Sequence, residues 1–335
     1  MQKTKKITYE DIIELYKQRF VNEKKIKKYE TIDEQALSKV VSKIKEEYLA
    51  FLYNVITVND VQFSVAKTQY CAYFQPDASG RIRTKVFARI NDGDESTFLH
   101  ELGHATAQCY YDDKKVMLQL IHARFSPKGT LASVLKGELS QNVDKIKEQI
   151  LEEHRLAVEP TMGKEKYQSL ADNAEFLKEY YKVSKSAGGC VGMFIASLTN
   201  EKPSTPKQAE KMAKYNEMHK EVMAKSMLRT QNELKGNIIH KRFREENDTV
   251  LDVLSSVCDM QYPYDLQVHT QNYYAQDEEL QVDELWANLF AIKVAGREDL
   301  AANVRKYLPE TYETFELLFQ KIKEVYQMQS QQNNR

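Results

Sequence analysis

The sequence predicts an α+β fold that is mostly helical. A small sheet sits in its N-terminal half, one helix carries an HExxH pattern, and the C-terminal half is helical. Three observations predict this. Apolar residues recur at helical spacing over most of the chain. Strand patterning is confined to Val61–Val65, Gln69–Gln75 and Arg81–Ile90, the last two flanking the turn-forming Pro76-Asp77-Ala78-Ser79-Gly80. Phe98-Leu99-His100-Glu101-Leu102-Gly103-His104-Ala105 then places two histidines four apart beside a glutamate.

Taken in order, Thr8 with Asp11 predicts a capped first helix through Ile12, Ile13, Leu15 and Tyr16. Lys24–Lys28 reads as a solvated basic helix end. Thr31-Ile32-Asp33-Glu34 is a capping box, followed by Leu37, Val40, Val41, Ile44, Tyr48, Leu52 and Val55 at one continuous helical period to about Ile56. After the strands, Asn91-Asp92-Gly93 turns the chain, and Asp94 or Ser96 can cap the HExxH helix. Phe98, Leu102, Ala105 and Cys109 form its apolar stripe, on a face turned away from His100 and His104.

Lys115–Phe125 is compatible with strand or helix, a strand near Met117–Leu120 being favoured. A long charged helix is expected from Thr130 to about Leu156, broken by Pro160, and another from Lys164 to Val183. Gly188, Gly189 and Gly192 surround an apolar patch through Phe194 and Ile195. Thr205-Pro206 starts a helix with proline at its tolerated first position, and Gly236 is expected to end it. Asn247-Asp248-Thr249 should begin a short helix through Val257. Val282–Ile292 is apolar almost all round and therefore a buried helix.

The chain has 335 residues and a formal net charge of −1, so no global field favours nucleic acid or an anionic membrane. Cys71, Cys109, Cys190 and Cys258 are far apart, with no CxxC pair, so neither a zinc ribbon nor a disulfide frame is indicated. No apolar run reaches spanning length, and the Lys-rich start has no apolar stretch of a secretory signal.

His100 and His104 on one helix face suit Zn²⁺, and Glu101 is placed to take a proton from a metal-bound water. A catalytic zinc needs a third protein ligand. The extension HExxHxxGxxH is ruled out, because Ala107 and Tyr110 stand where its glycine and last histidine would be. Glu284 is the first candidate, since a carboxylate inside an apolar helix is costly unless paired. Asn288, four residues on, would orient a ligand histidine through its Nδ1. The alternatives are Glu152, Glu153 and His154, on a charged helix. A donor opposite Glu101 must hold the developing oxyanion: His269 comes first, then Tyr273 or Tyr274. His122, His154, His219 and His240 otherwise read as surface or packing residues.

At these motifs the chain resembles the zincin metallopeptidase domain of bacteriophage head-morphogenesis (minor head) proteins and of related mobile-element and toxin proteins. The resemblance runs from about residue 82 to 325 through separated motifs. They are His100–His104, Leu251-Asp252-Val253-Leu254, His269 with Tyr273-Tyr274, Glu284 with Ala287-Asn288-Leu289-Phe290, and Leu308-Pro309-Glu310-Thr311 with Phe315. It implies His100, His104 and Glu284 as zinc ligands, Glu101 as catalytic base and His269 as an assisting group. Tyr274 replaces the family's tryptophan, and Val268 stands where a glycine precedes the histidine. The segment at Glu284 is also similar to the anti-repressor peptidases of integrative elements, whose two motifs lie closer together than the 180 residues here.

The expectation is thus a gluzincin-like zinc metalloendopeptidase acting on a peptide or protein substrate. Its zincin-like organisation would be a helical segment 1–58, a sheet with the HExxH helix over 59–112, a helical insertion over 113–245 and a helical part 246–335. Residues 59–335 would form one catalytic domain. The scattered cysteines and the polar start suit a cytoplasmic location, and the resemblance implies a phage-associated one as the alternative, with a phage or mobile-element partner. The rival is a non-catalytic, zinc-stabilised scaffold or interaction module.

Overall fold

The computed structural model describes residues 6–21, 34–64, 74–75, 85–87, 95–111, 116–124, 126–168, 206–227, 231–260, 266, 268–269, 271–275 and 279–333. The basic run at Lys24, the box at Thr31–Asp33, the turns at Pro76–Gly80 and Asn91–Asp94 and the glycine-flanked patch at Phe194 lie outside these residues. So does the helix expected over Lys164–Val183 beyond residue 168. The described residues are mostly helical with little sheet. The chain divides into two compact units, one of Met1–Val143 with Asn272–Arg335 and one of Asp144–Gln271.

In the first unit, α1 (Tyr9–Arg19) opens on the expected capping box between Thr8 and Asp11. α2 (Glu34–Val41) and α3 (Leu49–Val58) follow. The single helix expected here is broken, although Leu37, Val40, Val41, Ile44, Tyr48, Leu52 and Val55 are all buried. The break has a local cause. Ser42 Oγ donates to the Lys39 carbonyl at 2.8 Å, and the Lys45 amide leaves the helix to bond the Val294 carbonyl at 2.9 Å.

The strands β1 (Phe20–Val21), β2 (Gln62–Ser64), β3 (Phe74–Gln75) and β4 (Lys85–Phe87) form a sheet of order β1-β2-β4-β3. β1, β2 and β4 are parallel, and β3 returns antiparallel to β4, pairing Phe74 with Val86. Among the described residues these strands have two or three residues each, a slighter sheet than an α+β reading suggests. Its anchor is aromatic: the Phe63 ring lies 4.3 Å from Tyr16 on α1 and 5.9 Å from Phe98 on α4 (Glu95–Ala107).

α4 stops at Ala107, so the stripe does not continue to Cys109. Gln108–Tyr111 is β5, which pairs antiparallel with β6 (Val116–Gln119) near the strand expected there. Tyrosines favour a pleated surface, and the available partner strand overrides helical period. The rest of the unit is α5 (Leu131–Met162) up to Val143, then α8 (Gln271–Tyr274), α9 (Leu280–Ala295), α10 (Glu298–Tyr307) and α11 (Pro309–Asn333). Phe51, Trp286, Phe290, Phe315 and Phe319 pack as one aromatic core between α3, α9 and α11. Glu138 on α5 caps α11, accepting from the amides of Glu310 at 3.1 Å and Thr311 at 2.9 Å and from Thr311 Oγ1 at 2.7 Å.

The second unit contains the end of α5, a helical stretch at 164–168, α6 (Pro206–Met227) and α7 (Gln231–Val257). Pro160 does not break α5 where it stands: it falls in the last turn, and the helix closes two residues on, at Met162. Gly236 does not end a helix but lies inside α7. A Cβ there would stand 2.7 Å from Met162 Cε, so the glycine serves close packing. Nor does Asn247 start a helix: its side-chain Nδ2 donates back to the Phe243 carbonyl at 2.9 Å within α7. Val158, Met162 and Tyr167 form a small core with Ala157 and Ile239. Among the described residues, no helix is long and apolar enough to cross a membrane.

Candidate metal centre

α4 and α9 pass each other at Gly103 and Ala287. A Cβ on Gly103 would lie 2.8 Å from Ala287 Cα and 3.1 Å from its carbonyl oxygen, so only glycine permits this approach. Trp286 ties the crossing, its indole N–H lying 3.0 Å from both the Gly103 carbonyl and Thr106 Oγ1. Asn59 donates to the Ala105 carbonyl at 2.7 Å and so satisfies the buried C-terminal end of α4.

This crossing brings three sequence-expected groups together. His104 Nε2 lies 3.1 Å from His100 Nε2. Glu284 Oε2 is 3.2 Å from His100 Nε2, and Oε1 is 3.9 Å from His104 Nε2. Ligand atoms around a tetrahedral zinc with bonds of about 2.0–2.1 Å stand about 3.4 Å apart, so these spacings bracket the edges of such a site. His100 Nδ1 lies 2.8 Å from Asn288 Oδ1. The amide oxygen can only accept, so Nδ1 carries the proton and Nε2 faces the cluster. Asn288 thus stands where the helical spacing from Glu284 puts it.

Glu101 is buried, with Oε1 4.0 Å from His100 Nε2, and its Oε2 has no hydrogen-bond partner among the described residues. A buried carboxylate oxygen left unpaired is costly unless something else meets it. Burial pushes the Glu101 carboxyl up to about 7, with the Glu284 charge adding to it and His100 opposing it. Burial also holds His104 down at about 4. Burial opposes charge on His100 and Glu284 as well, but their pairing outweighs it, raising the imidazole to about 9 and holding the carboxyl at about 2. Two imidazole nitrogens, a carboxylate and an orphaned acceptor form a donor set that fits a divalent zinc ion and a coordinated water.

Tyr273, a candidate for the oxyanion role, donates its hydroxyl to Glu284 Oε1 at 2.5 Å. Tyr274 stacks edge-on against it, 5.2 Å between ring centroids. His269 belongs to the second unit, where its Nδ1 lies 2.9 Å from the buried Asp252 carboxylate. The Val268 amide beside it donates to Ser255 Oγ at 3.2 Å. The alternative ligands also belong to the second unit. Glu152 pairs with Arg155, and Glu153 accepts from Gln149. His154 is not solvated: it is fully buried, 3.0 Å from the Tyr167 hydroxyl and 2.9 Å from His240 Nδ1.

In comparisons with known proteins, no family model, no curated protein and no solved structure matches this chain.

Sequence reasoning did not assign Trp286, Thr106 or Asn59 a place around the site. The one available signal was a lone tryptophan between Glu284 and Asn288, whose N–H needs a partner once buried.

Proposed function

We propose that the chain is a zinc-dependent metallopeptidase with a gluzincin-like ligand set. The single observation that carries this reading is the convergence of His100, His104 and Glu284, with the unpaired carboxylate oxygen of Glu101 beside them. Zinc held there would polarise a coordinated water, lowering its pKa to about 7.

The chain's own residues do the rest. With zinc bound, His100 would give up its Nε2 proton, so that both histidines present neutral Nε2 lone pairs, the first ring fixed by Asn288. Glu101 accepts the proton of the attacking water and hands it to the leaving amine. Its buried carboxylate, 4.0 Å from His100 Nε2, is placed for both transfers. The zincin reading of the fold belongs to the same proposal. β3 is an outer strand of the described sheet, the position from which a strand can add an extended peptide substrate. A phage or mobile-element protein as substrate or partner rests on the motif resemblance alone.

The test is Glu101→Gln, with bound zinc measured by mass spectrometry and hydrolysis measured on a mixed peptide library. Zinc stays stoichiometric and hydrolysis falls by about 10²–10⁴-fold. Undiminished hydrolysis overturns the role of Glu101. Stoichiometric zinc in a wild type that cleaves nothing favours the scaffold reading.

A further inference from the structure

We infer that Tyr273 is a positioning residue that holds Glu284 to one-oxygen coordination and so keeps a place open at the cation. The inference deepens the zinc reading above and rests on it. A carboxylate can bind a cation through one oxygen or two. In a site with two histidines and one glutamate, the second oxygen would occupy the position that catalysis reserves for water.

The two oxygens of Glu284 have different surroundings. Oε2 faces His100 Nε2 at 3.2 Å. Oε1 is 3.9 Å from His104 Nε2 and accepts the Tyr273 hydroxyl at 2.5 Å, in the range of a charge-assisted O–H···O⁻ bond. Glu284 is itself buried within α9, so its carboxylate cannot turn outward to solvent in place of that bond. The phenol therefore holds one oxygen of the carboxylate and leaves the other facing the cluster of imidazoles. This is a different task from stabilising an oxyanion, the role the sequence suggested for Tyr273.

Tyr273→Phe keeps the ring and removes the donor. The probes are cobalt(II), whose visible absorption weakens as coordination number rises, and azide, which enters an open position. In the wild type, one cobalt binds per chain and azide changes its spectrum. In Tyr273→Phe, cobalt still binds stoichiometrically, its visible bands weaken without azide, and azide binds about tenfold or more weakly. Far-UV circular dichroism checks the fold, and Tyr273→Leu makes the same comparison if the phenylalanine variant does not fold. Unchanged cobalt bands and azide affinity overturn the inference. So does loss of cobalt from a folded variant, because the phenol would then be needed for binding itself. A wild type that binds no cobalt is a separate outcome, seen without any variant, and it removes the metal reading as a whole.

Discussion

Replacing Gly103 with alanine adds one methyl group at the closest point between α4 and α9. The new Cβ meets Ala287 Cα at 2.8 Å, against 3.4 Å for the start of ordinary contact, and Phe290 Cβ at 3.2 Å. The obstructing atoms are backbone or next to it, so no rotamer change relieves the clash. The helices must part by about 0.6 Å or shift along each other. Such overpacking costs about 1–3 kcal/mol, and alanine's better helix propensity returns up to about 1 kcal/mol. The metal-free protein should therefore lose about 1 kcal/mol. Zinc binding should suffer separately, because His100 and His104 ride on one helix and Glu284 on the other. A parting of that size is about three times the roughly 0.2 Å tolerance of a metal bond. Zinc affinity should fall at least tenfold, or about 1.4 kcal/mol. Competition with a chromophoric chelator reads the affinity, and urea unfolding with and without zinc reads the stability. Wild-type zinc affinity in a folded Gly103→Ala protein would refute the claim that this crossing sets the ligand geometry.

Asn288→Ala removes the acceptor from His100 Nδ1 and should weaken zinc about 10–100-fold while leaving helix content unchanged, by the same chelator competition. Glu138→Ala orphans two amides and a hydroxyl at the start of α11. It should destabilise the protein by about 1–3 kcal/mol in urea unfolding, while Glu138→Gln, which keeps one acceptor oxygen, loses less. Burial, with the neighbouring His240 assisting, holds the folded His154 imidazole down at about 3, so the folded chain keeps it neutral. Below about pH 6.5 the unfolded chain takes up a proton that the folded one refuses. This contribution to stability is therefore complete above pH 6.5 and lost as the pH falls towards 3, amounting to about 2 kcal/mol by pH 5. Amide exchange in α5 and α7 at the two pH values measures it, and His154→Phe should remove the slope.

Much of the candidate site was legible because its signals are local. HExxH fixes the phase of two imidazoles on one helix. A carboxylate four residues before an amide on an otherwise apolar helix has little reason to be there unless both groups face something polar. The glycine inside HELGH was visible as a residue but not as a contact, since its partner Ala287 is 184 positions away. The hydroxyl bond from Tyr273 to Glu284 was equally hidden, because nothing in its neighbours states a direction. Helix boundaries depart from the apolar period where side chains outweigh it. Ser42 and Lys45 break a continuous apolar stripe, and Gly236 and Asn247 sit inside a helix although both residue types usually mark ends. His154 was placed on a charged helix by its neighbours in sequence, yet it points inward to Tyr167 and His240.

The central claim is that two imidazoles and one carboxylate of this chain share a cation. X-ray absorption at the zinc edge on the zinc-loaded protein tests it most directly. The account predicts one zinc per chain, two imidazoles in its scattering shell and oxygen ligands at about 2.0–2.1 Å, with the imidazole signal lost in His100→Ala combined with His104→Ala. Zinc bound without imidazole scattering, or bound unchanged in that double variant, would contradict it.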